Sequence, residues 1–368
     1  MKFNRSNFFK STIAALFTTS SYFNANALVT RNNNSGMKYK KLGNTDIYPS
    51  QIVMGTAQWK DETFLEPFHL SFEMGLNYID TSPGYRGGRA EKITGNVIKS
   101  KKIRNKIYLA NKISAYDEFI HQLCNEIFKK LPQDKKNDLI NKSNLMLSER
   151  DVLKQGYHYL YFRNQNNKFE RSYLDYQIIK EYGQLNKWKP KIKEHMHSLV
   201  QKSLKACQTD YFDVLFCPHG VAMPEMLENE SINEVMLELK KSGIIRASAV
   251  SMHNDVARNL KKAHELNVYD VAMIAYNIGN YKYIDPIIDQ TYKDIGLIAM
   301  KSARITNINQ KPNDKINKLH EEINIDASEQ TKGYIWTLKN KKITCCISDM
   351  LTVDAVKENI TNINREIV

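Results

Sequence analysis

Four titratable side chains stand at or just beyond the ends of short apolar segments. Asp80 ends the segment 77–80, Tyr85 follows five residues later, and Lys112 and His219 end two later segments. Side chains of these types serve as proton donors and acceptors in acid–base catalysis, and a charge at the end of a buried strand is costly unless it is paired. Together they predict an acid–base site. Taken singly, they are equally compatible with a structural Asp–Lys ion pair, a packed tyrosine and a core histidine.

The segments that carry these residues belong to a repeating pattern. After Met37, short apolar runs rich in β-forming residues alternate with longer segments of helical periodicity. The predicted strands are Gln51–Thr56, Asn77–Thr81, Lys106–Ile113, Phe212–His219, Ile244–Met252, Val271–Asn277, Gly296–Ser302 and Ile343–Met350. The clearest predicted helices are Ile192–Cys207, Ile232–Lys241, Asp255–Leu266 and Asp354–Ile363. The pattern predicts an α/β fold, a (β/α)8 TIM barrel, with an open doubly wound sheet as the alternative.

The rest of the chain is organised around this repeat. The segment Tyr39 to Tyr48, with Gly43-Asn44 at its turn, predicts an N-terminal β-hairpin. The predicted domains are a signal peptide, a barrel in two pieces and an inserted helical subdomain, at 1–27, 37–114 with 191–368, and 115–190. In a barrel, the C-terminal ends of the strands meet at one mouth, which is where barrel enzymes carry their catalytic groups.

The insertion after the third strand spans about 75 residues, where a βα loop usually has a handful. Helices are predicted over 117–130 and 131–153, and the stretch 129–193 holds 15 basic and 7 acidic residues. Its tyrosines are Tyr157, Tyr159, Tyr161, Tyr173, Tyr176 and Tyr182. Because it follows the C-terminal end of a strand, we expect it over the barrel mouth, either as a lid or docking element or as a surface excursion covering the rim.

Composition limits the class of protein and its partners. The chain has 368 residues, an apolar fraction of 42% and a formal net charge of +13. The apolar fraction is that of a globular protein. The charge is compatible with nucleic acid, an anionic surface or an acidic substrate, or with a coding bias towards Lys and Asn. Because no nucleic-acid-binding motif occurs, we expect no such partner, and the scattered cysteines predict neither a metal site nor a disulfide framework.

The first 27 residues have the pattern of a secretory signal. A basic start and a short apolar stretch precede Ala25-Asn26-Ala27, a small-x-small cleavage site. The apolar stretch is too short to span a membrane. Arg5-Ser6 stands where a twin-arginine signal has two arginines, so the twin-arginine and Sec routes both stay open. We expect a periplasmic or secreted protein without stable membrane insertion after cleavage, the alternative being an amphipathic or disordered N-terminus.

Several motifs, taken in order, resemble those of the aldo-keto reductase family. The matching segments are Asp80-Thr81-Ser82-Pro83-Gly84-Tyr85, 88–95, 108–112, Ser203-Leu204, 209–213 with His219, 243–251, Tyr276-Asn277 and Glu358-Asn359. The resemblance runs from Met37 to the C-terminus, apart from the insertion. It implies a nicotinamide-dependent oxidoreductase that reduces the carbonyl of a small aldehyde or ketone.

The resemblance assigns roles to the four titratable residues. Tyr85 would protonate the carbonyl oxygen as hydride reaches the carbon. Lys112 would lower the tyrosine pKa from its usual value of about 10, and Asp80 would hold Lys112 in place. His219 would orient the carbonyl and donate a hydrogen bond to its oxygen.

The resemblance also implies a cofactor, NADP or NAD. The residues expected to bind it are Gly55, Thr56, Ser251, Lys301, Ser302, Arg304, Asp349 and Asn359. Departures from the family pattern fall at Met252, Met273, Asp349 and Ala355. An acidic residue before the last helix would repel a 2′-phosphate that the helix N-terminus would otherwise attract, and would suit a free ribose hydroxyl. NAD in place of NADP, another residue that contacts the phosphate, and a non-reducing barrel are therefore all left open.

Two further functions compete with the reductase. One is a non-catalytic or regulatory protein on the same fold that binds a partner through its basic insertion. The other is an anion- or nucleic-acid-binding protein that uses the charge of the insertion. Nucleotide binding and carbonyl turnover separate the reductase from both.

Overall fold

The chain folds into a closed barrel of eight parallel strands that pair in sequence order, the last with the first. The computed structural model describes residues 29, 31–32, 35–304 and 313–367. The strands are β1 Ile52–Gly55, β2 Tyr78–Asp80, β3 Tyr108–Lys112, β4 Phe212–His219, β5 Ile245–Met252, β6 Val271–Ala275, β7 Gly296–Met300 and β8 Cys345–Ser348. The predicted (β/α)8 barrel is confirmed, and the open doubly wound sheet is wrong.

Helices connect the strands and cover the outside of the barrel. They are α1 Leu65–Glu73, α2 Arg89–Ser100, α3 Tyr116–Phe128, α4 Gln133–Arg150, α5 Gln165–Tyr182, α6 Leu185–Cys207, α7 Glu230–Lys241, α8 Val256–Leu266, α9 Tyr281–Thr291, α10 Asn313–Glu322, α11 Glu329–Lys339 and α12 Val353–Glu366. Side chains cap some of their first turns: the Ala355 N–H, for example, donates to the hydroxyl of Thr352 before α12. Apolar faces of these helices pack on the outer faces of the strands.

The barrel interior is filled by alternate residues of its strands. Tyr78, Tyr108, Val214 and Phe216 form part of one fully buried cluster. Their neighbours along the strands point outwards to the helices, because side chains alternate between the two faces of a strand. The interior is therefore a packed core, which leaves the mouth for chemistry.

The predicted N-terminal hairpin is a short chain reversal beneath the barrel. Tyr39 and Ser50 form one antiparallel bridge, and the Leu42 N–H donates to the Ile47 carbonyl over 2.9 Å. Gly43 adopts φ +55° at the turn, and a Cβ there would lie 2.3 Å from the Gly296 nitrogen. The turn therefore closes the barrel end opposite the strand termini that carry Asp80, Lys112 and His219.

Four helices, α3 to α6, lie between β3 and β4. Two of them correspond to helices predicted over 117–130 and 131–153, whereas α5 was not predicted. The helix expected to begin at Ile192 begins at Leu185 and contains Pro190. The last helix before β4 therefore starts within the segment predicted as an insertion, 115–190.

Among the described residues, no helix is long and apolar enough to cross a membrane, and no cluster of His, Cys, Asp or Glu is arranged to hold a metal ion. All five cysteines are buried and unpaired. The predicted signal peptide, residues 1–27, lies outside the described residues.

Candidate active site

The four titratable residues meet at the mouth of the barrel. Asp80, Lys112 and His219 are the last residues of β2, β3 and β4, and Tyr85 opens a short 3-10 turn, Tyr85–Gly88, after β2. Because the strands are parallel, their C-terminal ends lie together. All four side chains line one cleft of about 190 Å³.

Asp80 and Lys112 form a buried ion pair at the base of this cleft. Each side chain is at most 2% exposed, and the Lys112 Nζ contacts Asp80 Oδ2 and donates to the Thr81 carbonyl over 3.1 Å. The Tyr85 hydroxyl donates to the same carboxylate oxygen over 3.4 Å. The Lys112 Nζ also lies 4.8 Å from the centre of the Tyr85 ring. One carboxylate therefore orients both the lysine and the tyrosine.

The charge balance at Tyr85 differs from the sequence-based expectation. Burial, followed by the negative charge of Asp80, raises the pKa of Tyr85 well above its ordinary value. The expected lowering by Lys112 is wrong for this state of the site, because Lys112 is held against Asp80, which offsets its positive charge. Burial also lowers the pKa of Lys112, against the opposing effect of Asp80. Tyr85 is consequently a phenol that keeps its proton at neutral pH.

His219 is held by a short chain of hydroxyl groups. Its Nδ1 lies 2.8 Å from the Ser114 Oγ, which lies 2.6 Å from the Ser82 Oγ. Burial, and then the nearby charges of Lys112 and Lys168, lower the pKa of His219 well below its ordinary value. The imidazole is therefore neutral at neutral pH, with one ring nitrogen as a donor and the other as an acceptor.

Most of the predicted cofactor residues line the same cleft. They are Gly55, Ser251, Lys301, Ser302, Arg304 and Asp349. Thr56 and Asn359 are not among the lining residues. The Thr56 hydroxyl donates to Thr81 Oγ1 over 2.9 Å, and Asn359, on α12, accepts from the Thr331 hydroxyl over 2.7 Å. These two side chains are engaged within the protein rather than at the surface of the cleft.

Asp349 and Gly55 face each other where β8 and β1 end. A Cβ on Gly55 would lie 2.8 Å from the Asp349 carboxylate, so a larger residue there would displace that carboxylate. Burial raises the pKa of Asp349 to about 6, and Lys301 opposes that rise. Lys301 itself adopts φ +60°, in the left-handed region, and burial lowers its pKa. The rim of the cleft therefore carries a carboxyl group with a raised pKa beside cationic side chains.

Two polar or titratable side chains that line the cleft, those of His253 and Tyr334, were not predicted from the sequence. His253 directly follows β5, and its ring packs 5.4 Å from that of Phe162 and 6.3 Å from that of Tyr161. Its place just after a strand end was a usable signal. Tyr334 lies on α11 and reaches the cleft from a helix, a placement that no local pattern indicates.

The insertion reaches the mouth through polar contacts. Tyr161 Oη accepts a hydrogen bond from Asn277 Nδ2 over 3.1 Å, and the Tyr157 hydroxyl donates to Asp255 over 2.6 Å. Both tyrosines are at least nine-tenths buried. These contacts join the insertion to the segments that follow β5 and β6, beside the mouth.

Comparisons with known proteins agree with this geometry. The family model described as "Aldo/keto reductase family" matches residues 51–148 and 171–362, more than half of the chain. The uncharacterized oxidoreductase YqkF of Bacillus subtilis is 22% identical over 357 residues, covering 89% of this chain and 92% of that protein.

Solved structures of reductases share the fold. Aldo-keto reductase AKR11C1 of Bacillus halodurans, in its holo form, superposes with a TM-score of 0.56 at 18% identity, covering 90% of this chain and 95% of that one. An aldo/keto reductase of Klebsiella pneumoniae, in complex with NADP and acetate, gives a TM-score of 0.55 at 15% identity, covering 89% and 90%. With the family match over most of the barrel, the chain belongs to the aldo/keto reductase family.

Proposed function

We propose that this protein reduces aldehyde or ketone carbonyls with a nicotinamide cofactor, and that Tyr85 is the proton donor. The supporting observation is one cleft lined by a protonated phenol, a buried Asp80–Lys112 pair and a neutral His219. Oxidoreductase chemistry on a small carbonyl substrate is common to the family.

The residues of the cleft fit a nicotinamide nucleotide. Ser251 offers a hydroxyl, and Lys301 and Arg304 offer positive charge for a pyrophosphate. When bound, the cofactor supplies the hydride. The relative from Klebsiella pneumoniae was crystallised with NADP.

Two residues near the end of β8 bear on the choice between NAD and NADP. An ionised Asp349 opposes a 2′-phosphate, and the Ala355 N–H at the start of α12 is already used by Thr352. We therefore expect NADH to bind more tightly than NADPH. Side-by-side titrations that follow protein fluorescence test this, and tighter binding of NADPH would contradict it.

The chain's own residues prepare the carbonyl for reduction. Tyr85 holds its proton at Oη until negative charge develops on the carbonyl oxygen, and then donates it. Asp80 and Lys112 fix the position of the phenol and balance each other's charge. With Nδ1 bound to Ser114, His219 uses Nε2 to hydrogen-bond the same oxygen and orient it.

Substitution of Tyr85 tests the assignment. Tyr85→Phe keeps the ring and removes the proton, so we expect turnover on a carbonyl panel to fall by about 100- to 10,000-fold while nucleotide binding persists. Tyr281→Phe, which removes a hydroxyl bonded to Lys318 outside the cleft, is the matched control. Unchanged turnover in Tyr85→Phe, or no binding of either nucleotide, would overturn the proposal. The latter result is what the non-catalytic, partner-binding alternative predicts.

A further inference from the structure

One segment of the chain reaches the active site although the family model does not match it. Residues 149–170, called here the unmatched segment, lie between the two matched regions. They run from the end of α4 through a loop into the first turns of α5. The contacts of this segment therefore lie outside the two regions that the family model matches.

Lys168 is the residue of the unmatched segment whose side chain contacts His219. Its Nζ donates to the main-chain carbonyl of His219 over 3.1 Å. A Cβ on Gly220 would lie 2.9 Å from the same Nζ, so the glycine, at φ +82°, leaves the space that the ammonium group uses. The Gly220 N–H in turn donates to the carbonyl and hydroxyl of Ser251, at 2.9 and 3.2 Å. Lys168 thus lies where the ends of β4 and β5 meet.

Asp117 fixes the position of this lysine. Its Oδ2 lies 2.9 Å from the Lys168 Nζ, and the two side chains are 8% and 21% exposed. Asp117 belongs to α3 and Lys168 to α5, so the pair joins two helices of the insertion. A carboxylate this buried is costly without a cationic partner, and Lys168 provides one.

Two contacts therefore hold His219 from opposite sides. Ser114, just after β3, contacts the imidazole Nδ1, and Lys168 contacts the backbone carbonyl. A hydrogen bond to each end of the residue limits both the position of its backbone and the rotation of its ring. The charge of Lys168 also acts on the imidazole, adding to the effects of Lys112 and His253.

We propose that Lys168 is a positioning residue for His219, through which the unmatched segment takes part in catalysis. It touches neither substrate nor cofactor in this assignment. It fixes the end of β4 and keeps the imidazole in the orientation from which it can hydrogen-bond the carbonyl. This inference rests on the proposed reductase function.

The test must separate the loss of positioning from the exposure of an unpaired acid. Lys168→Met alone leaves Asp117 without its cation, so the main variant is the double substitution Lys168→Met/Asp117→Asn. Lys168→Arg retains the charge. Lys189→Met removes a lysine that is bonded to Glu230 at a similar exposure but away from the cleft, and serves as the control.

Steady-state kinetics give the first measurement. We expect kcat of the double variant to fall about 10- to 100-fold, the range typical of a displaced catalytic group, with the Kd for the nucleotide unchanged. Lys168→Arg should recover part of the loss, and Lys189→Met should match the wild type. Equal kcat values in the double variant and in Lys189→Met would overturn the proposal.

The titration of His219 gives a second measurement that does not depend on turnover. In NMR spectra of protein labelled at histidine, with His219→Asn for assignment, the double variant should move the pKa of His219 up towards its ordinary value of about 6.5. Lys112, Tyr85, His253 and Ser114 also face this ring and are unchanged. An unaltered titration would contradict the proposal. If neither the wild type nor any variant reduces carbonyls, the proposed reductase function is wrong. The titration of His219 still tests the role of Lys168 in that case.

Discussion

Two carboxylates line the cleft in the described part of the chain, and their charges are balanced differently. Asp80 is in direct contact with Lys112, whereas the main attraction on Asp349 comes from Lys301. Burial raises the pKa of both acids. A carboxyl group whose pKa is raised on folding binds its proton more tightly in the native state than in the unfolded chain. Ionising it therefore costs folding free energy.

Replacing Asp349 by Asn should stabilise the protein at neutral pH. With a folded pKa of about 6, the cost of ionisation develops as the pH rises from about 4 to about 6 and stays constant above that range. We expect the free energy of unfolding of Asp349→Asn to exceed that of the wild type by about 3 kcal/mol at pH ~7.5, with little difference at pH ~4. Urea unfolding at the two pH values measures this. The same gain at both would contradict a titration-linked effect.

Residue identity predicted which side chains meet, but not their charge states. Asp80, Tyr85, Lys112 and His219 were recognisable because each lies at or near the end of an apolar segment. The raised pKa of Tyr85 depends on burial and on Asp80 drawing Lys112 to itself, both of which are set by three-dimensional packing. Thr56 and Asn359 were recognisable as residue types but do not line the cleft. Their hydroxyl and amide groups are engaged by Thr81 and Thr331.

Strands β3, β4 and β5 are tied together at the barrel end opposite the cleft. Asp213, at 0% exposure, lies 3.0 Å from Arg104 and 2.8 Å from Arg246, and accepts from the Leu109 N–H over 2.9 Å. A buried carboxylate with two arginines and a backbone donor is fully compensated. This network therefore holds the three strands together without reaching the active site.

Removing Asp213 should lower stability without changing the chemistry. Asp213→Ala leaves two arginines and an N–H without their acceptor, so we expect a loss of about 3–5 kcal/mol in the free energy of unfolding. Lys262→Met breaks the exposed pair with Glu228 and should cost at most about 1 kcal/mol. Urea unfolding gives both values. A kcat that changes in folded Asp213→Ala protein would show that the network acts beyond stability.

The helices of the insertion show where sequence patterns stop being informative. Predicted helices over 117–130 and 131–153 correspond to α3 and α4. The next helix, α5, was missed because it buries Gln165, Ser172 and Gln177 among its apolar residues, which removes a clear apolar stripe. Those polar groups find partners only in the folded protein, as when Gln165 donates to the Tyr159 carbonyl over 2.9 Å.

The formal net charge is +13, and several of the basic residues that contribute to it form ion pairs. Lys142, Lys189 and Lys193, all within 115–193, contact glutamates of α5 and α7. The basic stretch of the insertion is therefore partly neutralised where it meets other helices. We expect no binding of a single-stranded oligonucleotide at about 0.15 M salt when it is measured by fluorescence anisotropy. Binding that rests on charge alone weakens steeply with salt. Tight, salt-insensitive binding would favour the nucleic-acid alternative.

If the protein is exported as predicted, its nicotinamide cofactor has to be available at the place where the enzyme acts. Nicotinamide nucleotides are not expected in free supply outside the cytoplasm, and a twin-arginine route carries folded proteins with cofactor already bound. If the first 27 residues are a signal of this kind, cleavage after Ala27 should leave Leu28 as the N-terminus of protein recovered from the periplasm. Because Arg5-Ser6 stands in place of two arginines, the export route has to be determined by experiment.

Fractionation in two bacterial hosts, one lacking the twin-arginine translocase, tests this. We expect periplasmic protein beginning at Leu28 in the complete host. If the signal uses the twin-arginine route, the deficient host should retain uncleaved protein in the cytoplasm. Ala27→Asp should prevent cleavage, because a charge next to the cut replaces the small residue that the site requires. Periplasmic protein in both hosts would indicate the Sec route and an enzyme that meets its nucleotide only after export. An intact N-terminus in the cytoplasm of both would contradict a signal peptide and remove the difficulty of cofactor supply.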